Sequence, residues 1–108
     1  MGTTSNMTGA RFIAETLHGY GVTHVFYVDA ILRKTMVDFE ERGICRVITH
    51  SEKAAAYMAD GYARVSYKPG VCMAQSVGAA NLAAGLQDPW LGRSAVIALT
   101  GKKPPFFQ

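Results

Sequence analysis

The sequence is poor in cysteine: Cys45 and Cys72 are the only two, far apart, with no C-x-x-C pair and no histidine at zinc-ligand spacing. A disulfide framework and a cysteine-based metal site are thereby excluded, and buried, reduced thiols are the expectation. No apolar run approaches the roughly 20 residues that a membrane-spanning helix requires. The polar opening, Met1 to Thr8, has no basic segment leading into an apolar core, so no secretory signal is read there. A soluble, cytoplasmic protein is expected. Charge is sparse and mixed: 11 Lys and Arg against 8 Asp and Glu give a net +3 with no block of one sign. That favours anionic ligands only weakly and gives no footprint for nucleic acid. A glycine-rich phosphate loop is missing, as is any set of acids with a lysine, which disfavours a flavodoxin-like nucleotide binder or a phosphate receiver built on Asp29. Internal repeats and low-complexity tracts are also absent.

What the chain does have is apolar content: 49% of 108 residues are hydrophobic, enough for one domain with a small core. Residues 1–7 read as a flexible leader, with Met7 a second possible start, and 8–108 as the domain. After Thr8, a suitable N-cap, the residues Ala10, Ile13, Ala14 and Leu17 recur at helical spacing until Gly19-Tyr20-Gly21. Val22 to Val28 reads as a buried strand, and Leu32, Met36 and Phe39 mark a second helix ending at Gly43. Ile44 to Thr49 is a second strand. Lys68-Pro69-Gly70 makes a turn into a third strand, Val71 to Ala74. Ala79, Leu82, Ala83, Leu86 and Trp90 then form one helical stripe, broken by Asp88-Pro89 and Gly92, before a fourth strand, Ala95 to Leu99. Tyr62 and Trp90 are expected to pack in the core. Strands alternating with helices over short connections predict an α/β fold, three layers with a parallel sheet between helices. The apolar tail with Phe106 and Phe107 after a fourth strand suggests a domain truncated after about four strands.

The stretch Thr49 to Arg64 organises the rest. Ala55, Met58, Ala59 and Tyr62 fall at i, i+3, i+4 and i+7, one face of an amphipathic helix. Glu52 stands where the second strand hands over to that helix, the edge at which open α/β sheets bind ligands. A carboxylate there can serve in catalysis, or it can be a first-turn acid favoured by the helix dipole. His50 is read as a structural hydrogen-bonder, and His18 and His24 have no suggested partner. A second candidate is the turn Gln75-Ser76-Val77-Gly78-Ala79-Ala80-Asn81. There Gly78 lets backbone approach a ligand while Gln75, Ser76 and Asn81 offer polar side chains. Its plain alternative is a routine turn with Ser76 capping the next helix.

Ser51-Glu52-Lys53-Ala54-Ala55-Ala56-Tyr57-Met58-Ala59-Asp60-Gly61-Tyr62-Ala63-Arg64 resembles the Glu-x-x-Ala-x-x-x-Ala-x-Gly-Tyr-Ala-Arg segment of the pyrimidine-binding domain of thiamine-diphosphate-dependent enzymes. The likeness continues through Lys68 to Cys72, Gly78 to Leu82, Gly85, Asp88 and Val96 to Gly101, and is nearest to acetolactate synthase and its 2-oxo acid decarboxylase relatives. The order and spacing of these pieces carry the resemblance. It implies the flavodoxin-like thiamine-diphosphate-binding fold. It also implies that Glu52 hydrogen-bonds N1′ of the cofactor aminopyrimidine, so that the 4′-nitrogen becomes a base for the C2 proton. A carboxyl in a partly dry crevice can share a proton with a ring nitrogen in this way. The loop with Gln75, Ser76, Val77, Gly78 and Asn81 is implied to lie by the pyrimidine and the reacting 2-oxo acid, with the cofactor as electron sink.

The resemblance also implies what else is needed. Family members hold the diphosphate through Mg2+ in another domain, at a Gly-Asp-Gly with a later Asn-Asn, and neither motif occurs in this sequence. The expected partners are therefore that C-terminal diphosphate-binding domain or a separate subunit, in a homodimer or tetramer, with no activity from these residues alone. Where the family has a Gly-x-Pro-Gly turn after the first strand, this chain reads Tyr27-Val28-Asp29-Ala30. Asp29 either faces substrate or caps the next helix. The alternative to catalysis is an association module that keeps the fold without the reaction.

Overall fold

Thr8 starts the first helix because its extended backbone turns its hydroxyl onto the chain, where Oγ1 accepts the Arg11 N–H at 3.1 Å. One of the donors that every helix start leaves free is satisfied. Helix α1 (Gly9–Gly19) buries Ala14 and Leu17. Gly21, at φ 85, then makes the left-handed turn into strand β1 (His24–Tyr27). The computed structural model describes residues 7–28 and 32–102. The order continues with α2 (Arg33–Glu41), β2 (Cys45–Ile48), α3 (Glu52–Ser66), β3 (Gly70–Gln75), α4 (Val77–Ala84), α5 (Gln87–Gly92) and β4 (Val96–Gly101).

The four strands form one parallel sheet in the order β2-β1-β3-β4. Val25 pairs with both Arg46 and Val71, and Cys72 pairs with Ala98 on the far side of β3. Because side chains alternate along a strand, each central strand feeds two separate cores. Val25, Val71 and Met73 join Leu17, Met36 and Phe39 from α1 and α2 on one face. Phe26, Cys72 and Ala74 join Ala55, Ala56, Ala59 and Leu82 from α3 and α4 on the other. The result is the three-layer α/β arrangement that the alternating pattern predicts.

The two faces are built differently. The first is filled by large side chains, with Phe39 and Met73 fully buried. Towards the second, α3 offers Ala55, Ala56, Ala59 and Ala63, and with so little side-chain bulk its backbone lies close on the sheet. A Cβ at position 70 would stand 2.1 Å from the Ala59 carbonyl oxygen. Asp60 is buried on the same helix, and Arg64 Nε meets its Oδ1 at 2.8 Å. The hydrogen bond from the Arg64 guanidinium holds the Asp60 carboxyl below the usual carboxylate range.

Several expectations need correction. Strand one is shorter than Val22 to Val28, although Val22 is buried beside it. On α3, Ala55 and Ala59 are buried and Tyr62 packs on the same core, as expected, but Met58 is 43% exposed, and the buried face extends instead to Ala56, Asp60 and Ala63. The single helix expected through Trp90 is two, because the chain turns at Gly85 and Leu86. Pro89 does not break α5. It sits in the first turn, where its missing N–H would have had no partner within the helix. The turn also rotates Trp90 outward, to 82% exposure. Cys45 is exposed, whereas Cys72 is buried as expected, and burial pushes its thiol up to about 11. The N-cap position of α2 falls on Leu32, at φ 44 and with no side-chain cap of its own. Asp29 and Ala30 themselves, like the tail with Phe106 and Phe107, lie outside the described residues.

Candidate functional site

At the carboxyl ends of the strands, the turn from β2 into α3 is fastened to its neighbour by a residue that the sequence did not single out. Thr49 is buried; its N–H donates to the Tyr27 carbonyl at 2.8 Å and its Oγ1 to the Ser51 carbonyl at 2.7 Å. A buried threonine beside a strand end is a weak signal in sequence, since threonine suits both strands and turns. Ser51, with extended backbone, then caps α3 by accepting the Ala54 N–H on Oγ at 3.1 Å. Glu52 is consequently the first residue of the helix. It is half-buried, next to the free N–H groups and partial positive charge of the helix start. His50 is exposed, and no partner for it is found among the described residues.

Across from this helix start lies the turn from β3 into α4. Gln75 is the last residue of β3, half-buried and paired with Gly101. Ser76 has φ 54 and ψ −124, a conformation that costs a residue with a Cβ on the order of 1–3 kcal/mol. Its N–H donates to the Gly101 carbonyl at 3.2 Å, and its carbonyl accepts from Ala79 at 3.0 Å. Its side chain makes no cap hydrogen bond to α4, which corrects the capping alternative. Val77 projects into solvent, 76% exposed.

Helix α4 meets α3 through small residues. A Cβ on Gly85 would be 2.7 Å from the Ala56 Cβ and 2.8 Å from the Lys53 carbonyl. Two turns earlier the same stripe reaches Gly78, where a Cβ would be 2.7 Å from Glu52 Oε2 and 3.2 Å from both Cγ and Cδ. Asn81, one turn on, donates from Nδ2 to Glu52 Oε1 at 3.4 Å. The glycine that the sequence suggested for close approach to a ligand therefore makes room first for Glu52 itself. Gly78, Asn81 and Glu52 come together, while Gln75, Ser76 and Val77 belong to the same turn with no hydrogen bond to the carboxylate.

This arrangement presents one carboxylate at the open edge of a parallel sheet, aimed from the adjacent helix. Residues 7–105 match the family described as thiamine pyrophosphate enzyme, N-terminal TPP binding domain. The chain belongs to that family. Acetolactate synthase of Arthrospira platensis is 38% identical over 104 residues, 91% of this chain and 18% of that protein. The large subunit of acetolactate synthase isozyme 2 of Escherichia coli is 37% identical over 98 residues, 89% of this chain and 18% of that one. The chloroplastic acetolactate synthase of Arabidopsis thaliana is 36% identical over 99 residues, covering 89% and 15%. The chain thus spans less than a fifth of the length of these relatives. An X-ray structure described as a thiamin diphosphate-dependent enzyme from Mycobacterium smegmatis superposes with a TM-score of 0.77 at 22% identity, over 94% of this chain and 20% of that one, which shows the fold.

As an N-terminal TPP binding domain, the described residues fit one end of the cofactor. A lone, half-buried carboxylate with Gly78 cleared beneath it suits a ring nitrogen that can share a proton. For the other end, among the described residues no group of three or more His, Cys, Asp or Glu could hold a metal ion. A groove lined by Leu86, Pro89, Trp90, Leu91, Val96 and Ala98 includes none of the candidate residues. No described helix is long and apolar enough to cross a membrane.

Proposed function

We propose that this domain supplies the pyrimidine-binding side of a thiamine-diphosphate site in an enzyme acting on small 2-oxo acids, of the acetolactate synthase or decarboxylase kind. The observation that carries the proposal is the Glu52 carboxylate, set at the sheet's carboxyl edge and held over Gly78 from the neighbouring helix. Thiamine diphosphate, when bound, supplies an acidic C–H carbon that adds to a carbonyl and an electron sink for loss of CO2. Glu52 would share a proton with N1′ of the aminopyrimidine. The first turn of α3 keeps that carboxyl near its charge-stabilising N–H groups, and the Ser76 to Asn81 turn would bound the ring. Gln75, Ser76, Val77, Gly78 and Asn81 would make the cofactor-facing wall, contributed as a loop and not as individual ligands.

The diphosphate and its Mg2+ would be held by a further domain of the same polypeptide or by another subunit, in a dimer or tetramer. Coverage of less than a fifth of the acetolactate synthases supports a need for such additional structure. The test is made in the full-length protein with Mg2+ and thiamine diphosphate: exchange of the cofactor C2 proton into deuterated solvent is measured in the wild type and in Glu52→Gln. Exchange slowed by about a hundredfold or more is expected, the scale of a general acid–base contribution. Equal rates would remove Glu52 from the chemistry. A second reading, an association module without catalysis, draws support from the exposed Trp90 and Leu91 beside β4. Failure of the full-length wild type to bind the cofactor at all would favour it.

A further inference from the structure

We infer that Gly78 and Asn81 are positioning residues that set where the Glu52 carboxylate stands, so that the rigid α3–α4 pair carries the aim of the carboxyl group. This rests on the role proposed for Glu52 and extends it to residues that act through it. The first observation is steric. At position 78 a Cβ would meet Oε2 at 2.7 Å, closer than a settled side chain allows, and Cγ and Cδ at 3.2 Å, where the neighbour must give way. Since the obstructed atoms are the movable end of Glu52, an alanine there would displace the carboxylate and leave the helices in place. Gly78 is buried, in helical conformation without a positive φ, so backbone freedom is not the reason for a glycine. The reason on view is the space.

The second observation is polar. Asn81 Nδ2 reaches Oε1 at 3.4 Å, a long hydrogen bond that shortens with a small adjustment of either side chain. Among the described residues it is the one donor to this carboxylate. With one oxygen engaged and the other lying over Gly78, the carboxyl plane is restricted in both translation and rotation. Below the contact, Gly85 against Ala56 and Lys53 keeps α4 close to α3, which holds the Gly78 surface at contact distance.

The test uses the full-length protein and five variants: Glu52→Gln, Gly78→Ala, Asn81→Ala, and each of the last two combined with Glu52→Gln. C2 proton exchange of bound thiamine diphosphate is the first readout. Each single variant is expected to slow exchange between about ten- and a hundredfold, the scale of a misplaced catalytic group. In the Glu52→Gln background neither should slow it further, because both act through the carboxylate. The second readout needs no cofactor: the side-chain amide resonances of Asn81 are expected to shift in Glu52→Gln and in Gly78→Ala. Exchange at the wild-type rate in both single variants would overturn the inference and leave the Glu52 role standing. Equal slowing in both backgrounds would overturn it too, showing a structural effect. Unchanged exchange in Glu52→Gln alone would overturn both. Exposed Asn81 tolerates truncation, so the inference is testable even where Gly78→Ala folds poorly.

Discussion

Two glycines, one within α3 and one packed against it, are expected to respond to alanine with opposite sign. Gly70 opens β3, with its N–H bonded to the Ala95 carbonyl at 2.8 Å. A Cβ there would lie 2.1 Å from the Ala59 oxygen, 2.8 Å from its carbonyl carbon and 3.2 Å from its Cα. Every obstructing atom is backbone in the middle of α3, so no rotamer change relieves the clash. Relief requires α3 to lift from the sheet by more than about 1 Å before that approach becomes an ordinary contact, loosening Ala55, Ala56 and Ala59, which are all at 0% exposure. Overpacking of this kind costs about 3 kcal/mol, or roughly 12 °C in Tm for a domain of this size. Gly61 is the counterpart: it lies within α3, exposed, and a Cβ added there would meet nothing within 4 Å. Gly61→Ala should gain about 1 kcal/mol from helix propensity alone. Urea titration followed by far-UV circular dichroism gives both values under one baseline, with equal m-values as the check on two-state behaviour. A Gly70→Ala variant within about 1 kcal/mol of wild type would refute the close seating of α3 on β3.

Removing the α3 cap with Ser51→Ala should cost about 1 kcal/mol in the same assay, with Ser51→Gly costing less. In the native protein at about pH 8, a disulfide reagent should modify Cys45 and spare Cys72. The second thiol should appear only on denaturation, since its thiolate is disfavoured up to about 11 by burial. Rapid reaction of two thiols before unfolding would contradict the packing of Cys72. The Asp60 carboxyl is lowered below its ordinary 3.8 by Arg64, so its contribution is present above that pH and is lost as pH falls through the folded value. Wild-type Tm should therefore drop more than that of Asp60→Asn between about pH 4.5 and about pH 2.5, and parallel losses would remove the ion pair from the account of acid stability.

Much of this architecture could be read from residue patterns because its elements obey simple periods. Val71 to Ala74, an unbroken apolar run after Lys68-Pro69-Gly70, is a strand buried on both faces, the form that a central parallel strand takes. Thr8 and Gly19 to Gly21 bracketed α1 because capping and left-handed turns demand particular residues. The errors arose where two short-range signals competed. In α3, apolar Met58 seemed the natural core residue, but Asp60 is the one buried, because Arg64 one turn away satisfies its charge. Around Gly85, period 3.6 runs on smoothly in sequence while the chain turns, and only the tertiary fit of Gly85 against Lys53 and Ala56 places the turn there.

The candidate site was legible in part. Glu52 could be named from its place between a strand and a helix, and the loop after β3 from its composition. The relation between them could not, because Gly78 and Asn81 meet Glu52 only when α4 packs on α3. A glycine's purpose is the hardest feature to extract from sequence: Gly78 clears a carboxylate, Gly70 a carbonyl, and Gly61 nothing described. Thr49 was missed for a related reason, since its backbone hydrogen bond to Tyr27 depends on where β1 ends.

The contrast between the two faces of the sheet bears on how such a domain can change over generations. On the side of Phe39, Met36 and Met73, many combinations of large side chains fill the same volume, so compensated substitutions can accumulate there. On the other side, where Ala59 and Gly70 meet through bare backbone, no side chain at the contact can shrink to compensate for a larger one. Drift at that contact is nearly closed, and because the same helix carries Glu52, the placement of the carboxylate inherits the rigidity of a seam that has little room for alternative packing.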